Sequence, residues 1–193
     1  MPLVATRGNA GVFGLGWGAA AGGAADAMTA IASNTLVSDA ASVTFTSIPS
    51  DYDDLMVSIY VRAETAGQNL YARFNSDAGS NYSGTFLNGN GSSATSNSRT
   101  NASSLNVEYN NGILNGTNTF SSLTFHILNY ANTSYYKTGI SRHAGDNNGS
   151  GGTELCVQLW RSTSAISSIQ FNMSSGNLRT GSVFALYGIK KAD

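Results

Sequence analysis

Beyond Ile31 the chain alternates apolar and polar residues in short bursts, and this period of two limits its fold more than any other feature. Val43 and Phe45 alternate with Thr44 and Thr46, and Leu55, Val57, Ile59 and Val61 alternate with Met56, Ser58, Tyr60 and Arg62. The beat returns in Leu70-Ala72-Phe74, Leu105-Val107-Tyr109, Leu123-Phe125-Ile127 and Tyr136-Thr138-Ile140. It closes with Leu155-Val157-Leu159, Ile169-Phe171-Met173 and Val183-Ala185-Tyr187-Ile189. Successive side chains of a strand point to opposite faces, so each burst reads as a strand with its apolar set buried and the other set wet. Turn clusters such as Asn88-Gly89-Asn90-Gly91 and Asp146-Asn147-Asn148-Gly149 separate about nine or ten such strands. The stretch from Asn75 to Ser104 carries a weak strand at Tyr82 to Leu87 and otherwise reads as exposed loop. No stretch after Ile31 holds a 3.6-residue pattern long enough for three helical turns, and parallel strands would need crossover helices. The expected fold is therefore all-β: an antiparallel two-sheet β-sandwich of jelly-roll type.

Composition agrees. Ser, Thr and Asn supply 64 of the 193 residues and Gly 22 more, a mixture that favours turns and strand surfaces over helices. Hydrophobic residues at 41% are still enough to fill a core.

The first thirty residues are a different material. Asn9 to Ala32 reads NAGVFGLGWGAAAGGAADAMTAIA, almost all Gly and Ala, punctuated by Val12, Phe13, Leu15 and Trp17. Six glycines between Gly11 and Gly23 weigh against a transmembrane helix, at roughly 1 kcal/mol each relative to Ala, and also break the apolar run that a signal peptide needs. Ordering such a backbone costs about 1–2 kcal/mol per residue, while burying a large apolar side chain returns roughly 1.5–3 kcal/mol. Residues 1–32 are therefore expected to form an anchoring arm that gains order on a neighbouring subunit through Phe13, Leu15 and Trp17, with residues 33–193 forming the sandwich domain.

Candidate chemistry is thin. A net charge of −1 with Lys plus Arg at 10 lacks the basic cluster that phosphate backbones require, so no nucleic-acid partner is expected. One cysteine, Cys156, excludes an internal disulfide framework and is expected buried or half-buried as a small hydrophobe. His126 and His143 are too few for a zinc site; His126 lies out of phase with Leu123, Phe125 and Ile127, and His143 closes a strand. Asp51, Asp53 and Asp54 surround Tyr52 but lack a calcium-loop spacing, so a solvated turn is expected. No Gly-x-Ser-x-Gly elbow or phosphate loop occurs. Glu108 and Glu154 are the pair that a glycosidase could use, yet nothing in the sequence pairs them. The reading is a non-enzymatic chain without metal, cofactor or membrane insertion. Trp160, Tyr82, Tyr109, Tyr130, Tyr135 and Tyr136 could stack on sugar rings, with Tyr82, Tyr130 and Tyr135 the chosen surface or glycan contacts.

Three segments carry a resemblance: ASVTFTSIPSDYDDLMVSIYVRAE at 41–64, ARFNSDAGSNYSGTFLNGNGSSATSNS at 72–98 and LWRSTSAISSIQFNMSSGNLRTGSVFALYGIKK at 159–191. They resemble small virion structural proteins of tailed bacteriophages. The ending Gly181-Ser182 through Leu186-Tyr187-Gly188-Ile189 is the most distinctive element, and the opening Ala5-Thr6-Arg7-Gly8 adds to it. The resemblance implies a β-sandwich building block of the particle, a capsid decoration (cement) or tail or fibre component located on the virion. Its expected partners are other capsid or tail subunits and copies of itself, a trimer favoured. The alternative is a receptor- or glycan-binding module of a tail fibre, touching a host surface glycan. The resemblance carries no catalytic residues with it.

Overall fold

In a computed structural model, described for residues 27–190 apart from 114, 115 and 117, every regular element is a strand. In chain order they are β1 (Met28–Thr35), β2 (Ser42–Phe45), β3 (Asp54–Val61), β4 (Gln68–Phe74), β5 (Tyr82–Gly89) and β6 (Ala94–Ala102). There follow β7 (Leu105–Ile113), β8 (Ser121–Leu128), β9 (Lys137–Asp146), β10 (Gly151–Trp160), β11 (Ile169–Met173) and β12 (Val183–Ile189). They form two antiparallel sheets, one of eight strands ordered β1-β12-β3-β8-β9-β10-β5-β6 and one of four ordered β2-β11-β4-β7. The expected sandwich is the observed fold.

Of the two turn clusters legible in the sequence, Asp146 to Gly149 forms the β9–β10 turn, while the β5–β6 turn closes from Asn90 to Ser93 with Asn88 and Gly89 still in β5. Asn147 and Ser150 exchange backbone hydrogen bonds, and Asn148 and Gly149 between them have φ of 56° and 86°. Positive φ at both central residues gives the hairpin turn whose twist matches its strands, and Asn-Gly tolerates it best.

One half of the core follows the sequence pattern. Leu55, Val57, Ile59 and Val61 of β3, Leu123, Phe125 and Ile127 of β8, Leu70, Ala72 and Phe74 of β4, and Ile169, Phe171 and Met173 of β11 are all buried. At one end of the sandwich Phe74 packs against Phe125 (ring centroids 6.2 Å apart) and edge-on to Trp160 (5.5 Å), with Tyr82 stacked on Trp160 at 6.3 Å.

Three strands reverse the expected phase. In β10 the buried residues are Glu154, Cys156, Gln158 and Trp160, while Leu155 and Val157 lie outside. In β9 Lys137, Ser141 and His143 are buried, and Ile140 and the preceding Tyr136 are exposed. In β12 Phe184 and Leu186 fill the core in place of Val183, Ala185, Tyr187 and Ile189. The ladder shows why. Register places the inner side chains in rows across the wide sheet, one running Asn88, Glu154, His143, Leu123, Ile59, Phe184 and the next Phe86, Cys156, Ser141, Phe125, Val57, Leu186. The first row changes from polar to apolar at the β9–β8 boundary, and the second carries its one polar residue, Ser141, on β9. The apolar end lies where β12, β3 and β8 build the main core; the polar end lies beneath β7, which crosses β10, β9 and β5 and brings in Asn106 and Glu108.

Two further differences concern strand limits. The stretch expected as loop forms β6, paired along its length with β5 and exposed on its other edge. β1 begins at Met28, inside the segment assigned to the arm, because its backbone pairs with β12 from Met28↔Ile189 to Thr35↔Val183.

Candidate functional site

Of the aromatic residues chosen as surface contacts, the structure buries two. Tyr82 lies on the inner face of β5, where the Phe74 N–H donates to its hydroxyl oxygen (3.1 Å) and that hydroxyl donates to the Asp77 carbonyl (3.1 Å). Burial pushes the Tyr82 phenol up to about 12. Trp160 closes the same corner: its indole N–H donates to an Asp77 carboxylate oxygen at 2.7 Å, which also accepts from the Asn81 amide at 2.9 Å, while the other accepts from Gly79 N–H at 2.8 Å. Burial pushes the Asp77 carboxyl upward, but these three donors outweigh it and hold it below the usual range. Tyr130 is fully buried too, its hydroxyl donating to the Pro49 carbonyl, and burial raises its phenol. Neither ring offers a face to a ligand. Both are correctly paired core tyrosines.

Tyr135 remains, 72% exposed beside Tyr136 in the β8–β9 connection. The two line an open hollow of about 320 Å³ with Leu128, Asn129, Asn132 and Thr138. The loop is shaped locally. Asn132 Oδ1 accepts from Ser134 N–H (2.7 Å) and Tyr135 N–H (3.0 Å), while buried Lys137 donates from Nζ to the Tyr135 carbonyl (2.8 Å) and the Thr163 carbonyl (3.2 Å). The structure thus brings exposed phenol rings next to amide side chains, and supplies the stacking face and polar fringe that a sugar requires.

Phe13, Leu15 and Trp17 lie outside the described residues.

The polar interior holds most of the remaining candidates. Glu108 and Glu154 are both buried between the sheets, with Glu154 Oε2 accepting from the Tyr109 N–H at 2.7 Å. Their carboxylates do not flank an open cleft, the arrangement glycoside hydrolysis uses. His143 stands directly across the ladder from Glu154. Neither of its ring nitrogens has a hydrogen-bond partner among the described residues, and burial pulls its pKa down to about 4. Cys156, in the next row, is buried, its thiol pushed up by desolvation and then by the Glu154 carboxylate. Its burial matches the expectation. Among the described residues no three His, Cys, Asp or Glu side chains are grouped to hold a metal ion. His126 sits on the outer face, 3.2 Å from Asp54, which also accepts from Asn129 N–H at 2.8 Å; Asp54 is thereby drawn out of the turn that Asp51 and Asp53 share.

The outer face of the same three strands is the mirror of that interior. Leu87 of β5 opposes Leu155 of β10, and Val157 of β10 opposes Ile140 of β9. These four side chains are 56%, 44%, 49% and 37% exposed. Leu87, Leu155, Ala94 and Arg142 line a hollow of about 410 Å³ at its edge. Hydrophobic periodicity detected Leu155, Val157 and Ile140 but assigned them to the inside.

No protein-family model matches the chain, and no curated protein sequence matches it either.

Proposed function

We propose that this chain is a non-enzymatic structural subunit of a tailed-bacteriophage virion. It is a surface β-sandwich, a capsid decoration (cement) or tail or fibre component, held to the particle by its N-terminal arm. The observation that carries the reading is the outer face of β9, β10 and β5. An antiparallel sheet with one solvated face normally alternates apolar-in and polar-out, and here the alternation is reversed over the adjacent strands β9 and β10, with Leu87 of β5 extending the outer apolar patch. A sheet built this way suits a subunit that is covered in an assembly. The remainder of the coat is neutral and rich in Ser, Thr and Asn, suited to a non-adhesive outer surface. The segments that resemble phage virion proteins fall on β2–β3, β4–β6 and the end of β10 through β12, the framework of the sandwich. Partners on this reading are other capsid or tail subunits and further copies of the chain, with a trimer suited to one arm and one receiving face per copy. Mass spectrometry of gradient-purified particles tests it. The chain should be present at a fixed stoichiometry that survives high-salt washing; a chain absent from the particles while abundant in the infected-cell lysate refutes the reading.

The hollow beside Tyr135 and Tyr136 favours a second reading, a host-glycan contact at a fibre tip. Binding to host surface polysaccharide that is lost in Tyr135→Ala and Tyr136→Ala, with the fold intact, would support it. Equal binding by the variants would exclude this hollow.

A further inference from the structure

The proposed virion role leaves open what the arm grips, and the reversed sheet face answers that. We propose that the outer face of β9, β10 and β5 is the receptor for Phe13, Leu15 and Trp17 of a neighbouring copy. The proposal rests on the anchoring role given to the arm above.

Size separates the arm from the other natural occupant, a second sandwich packed face to face. At these exposures, Leu87, Ile140, Leu155 and Val157 present on the order of 350 Å² of apolar side chain, a full patch for a monomer surface. A stable dimer buries about 800 Å² from each partner, of which roughly 450–500 Å² is apolar. The patch is too small for that and right for a few large side chains. Spacing agrees. Phe13, Leu15 and Trp17 alternate with Gly14, Gly16 and Gly18, so an extended backbone puts all three large groups on one side, with glycine alone on the other. Three side chains at every second residue of a strand span about 13 Å. Leu87 to Ile140 crosses two strand spacings, about 10 Å, with Leu155 and Val157 adding a step along β10.

Reach agrees as well. Trp17 lies ten positions before Ala27, where the chain meets the sheet, a span of up to about 33 Å. This length is enough to carry the trio beyond the β1 edge of its own sheet to a neighbour. Charge is compatible. The patch holds one cation, Arg142, opposite Leu155 at the rim of the hollow, where an indole can take it as a cation–π partner. The stretch from Gly8 to Ala25 carries no charge at all, so docking strands no ion.

The test uses the full chain and follows mass by light scattering together with acrylamide quenching of tryptophan emission. Only Trp17 and Trp160 emit, and Trp160 is buried, so the quenchable signal reports Trp17. Val157→Lys charges the patch from the outside, and Trp17→Ala removes the ligand without touching the sandwich. Ser58→Lys, on the outer face of β3, is the control. Expected results are an oligomer with shielded Trp17 in the wild type and in Ser58→Lys. Val157→Lys should give a monomer with several-fold stronger quenching, and Trp17→Ala a monomer. A wild-type monomer, or an oligomer indifferent to either Val157→Lys or Trp17→Ala, overturns the assignment. If the chain is nonetheless found on particles, the virion reading stands and only the receiving surface is wrong.

Discussion

His143 gives the sharpest stability prediction. Its ring lies between the sheets, without a hydrogen-bond partner among the described residues, and burial lowers its pKa from 6.5 to about 4. The folded protein therefore holds a proton at this site less tightly than the unfolded chain does. Above pH 6.5 the ring is neutral in both states and costs nothing. As the pH falls below 6.5 the unfolded chain takes up a proton that the folded one refuses, and stability declines until about pH 4, where both are protonated. Integrating that difference gives a loss of about 2 kcal/mol at pH 5 and a limit of about 3 kcal/mol. The assay is urea unfolding followed by circular dichroism at pH 7.5 and pH 5, for wild type and His143→Gln. The buried carboxylates Glu154, across the ladder, and Glu108, from β7, are present in both proteins, so subtracting one pH difference from the other isolates the histidine. Wild type should lose about 2 kcal/mol more than the variant. An equal loss, or a wild type that gains stability on acidification, would refute the buried neutral histidine.

Other expectations follow from single contacts. Asp77→Ala leaves the Trp160 indole N–H, the Asn81 amide and the Gly79 N–H without their acceptor, and should cost about 2 kcal/mol in a urea melt, with Asp77→Asn recovering part of it. A Cβ at Gly139 would lie 2.6 Å from Phe125 Cε2 and 3.1 Å from the His126 carbonyl oxygen. Gly139→Ala should therefore destabilise by about 1–3 kcal/mol, measured in the same way. Cys156 should resist thiol reagents at neutral pH until the protein unfolds, because it is buried and its thiol is held protonated. Rapid labelling of the native protein would contradict its position between the sheets.

Much of the fold was legible because β3, β4, β8 and β11 each pair one apolar face with one polar face, and turn residues separate them. The phase of β9 and β10 was not, because hydrophobicity favours Leu155, Val157 and Ile140 as the inner set. The contrary signal was Trp160, which shares a phase with Glu154, Cys156 and Gln158 and is anchored at the core corner by Asp77. In β12 both phases are apolar, so periodicity could not tell that Phe184 and Leu186 lie inside. β6, ATSNSRTNA, has no apolar face to detect, since it forms by pairing with β5 and stays exposed. Tyr82 and Tyr130 misled as surface contacts because a buried tyrosine needs only one partner for its hydroxyl, and here a carbonyl supplied it for each.

Gold labelling of purified particles with an antibody to this chain, viewed by electron microscopy, tests the central claim most directly. The account predicts label at a defined location, over the head shell for a decoration subunit or along the tail and its fibres for a tail component. Particles that carry no label, while the same antibody binds the recombinant protein through an accessible epitope, would contradict it.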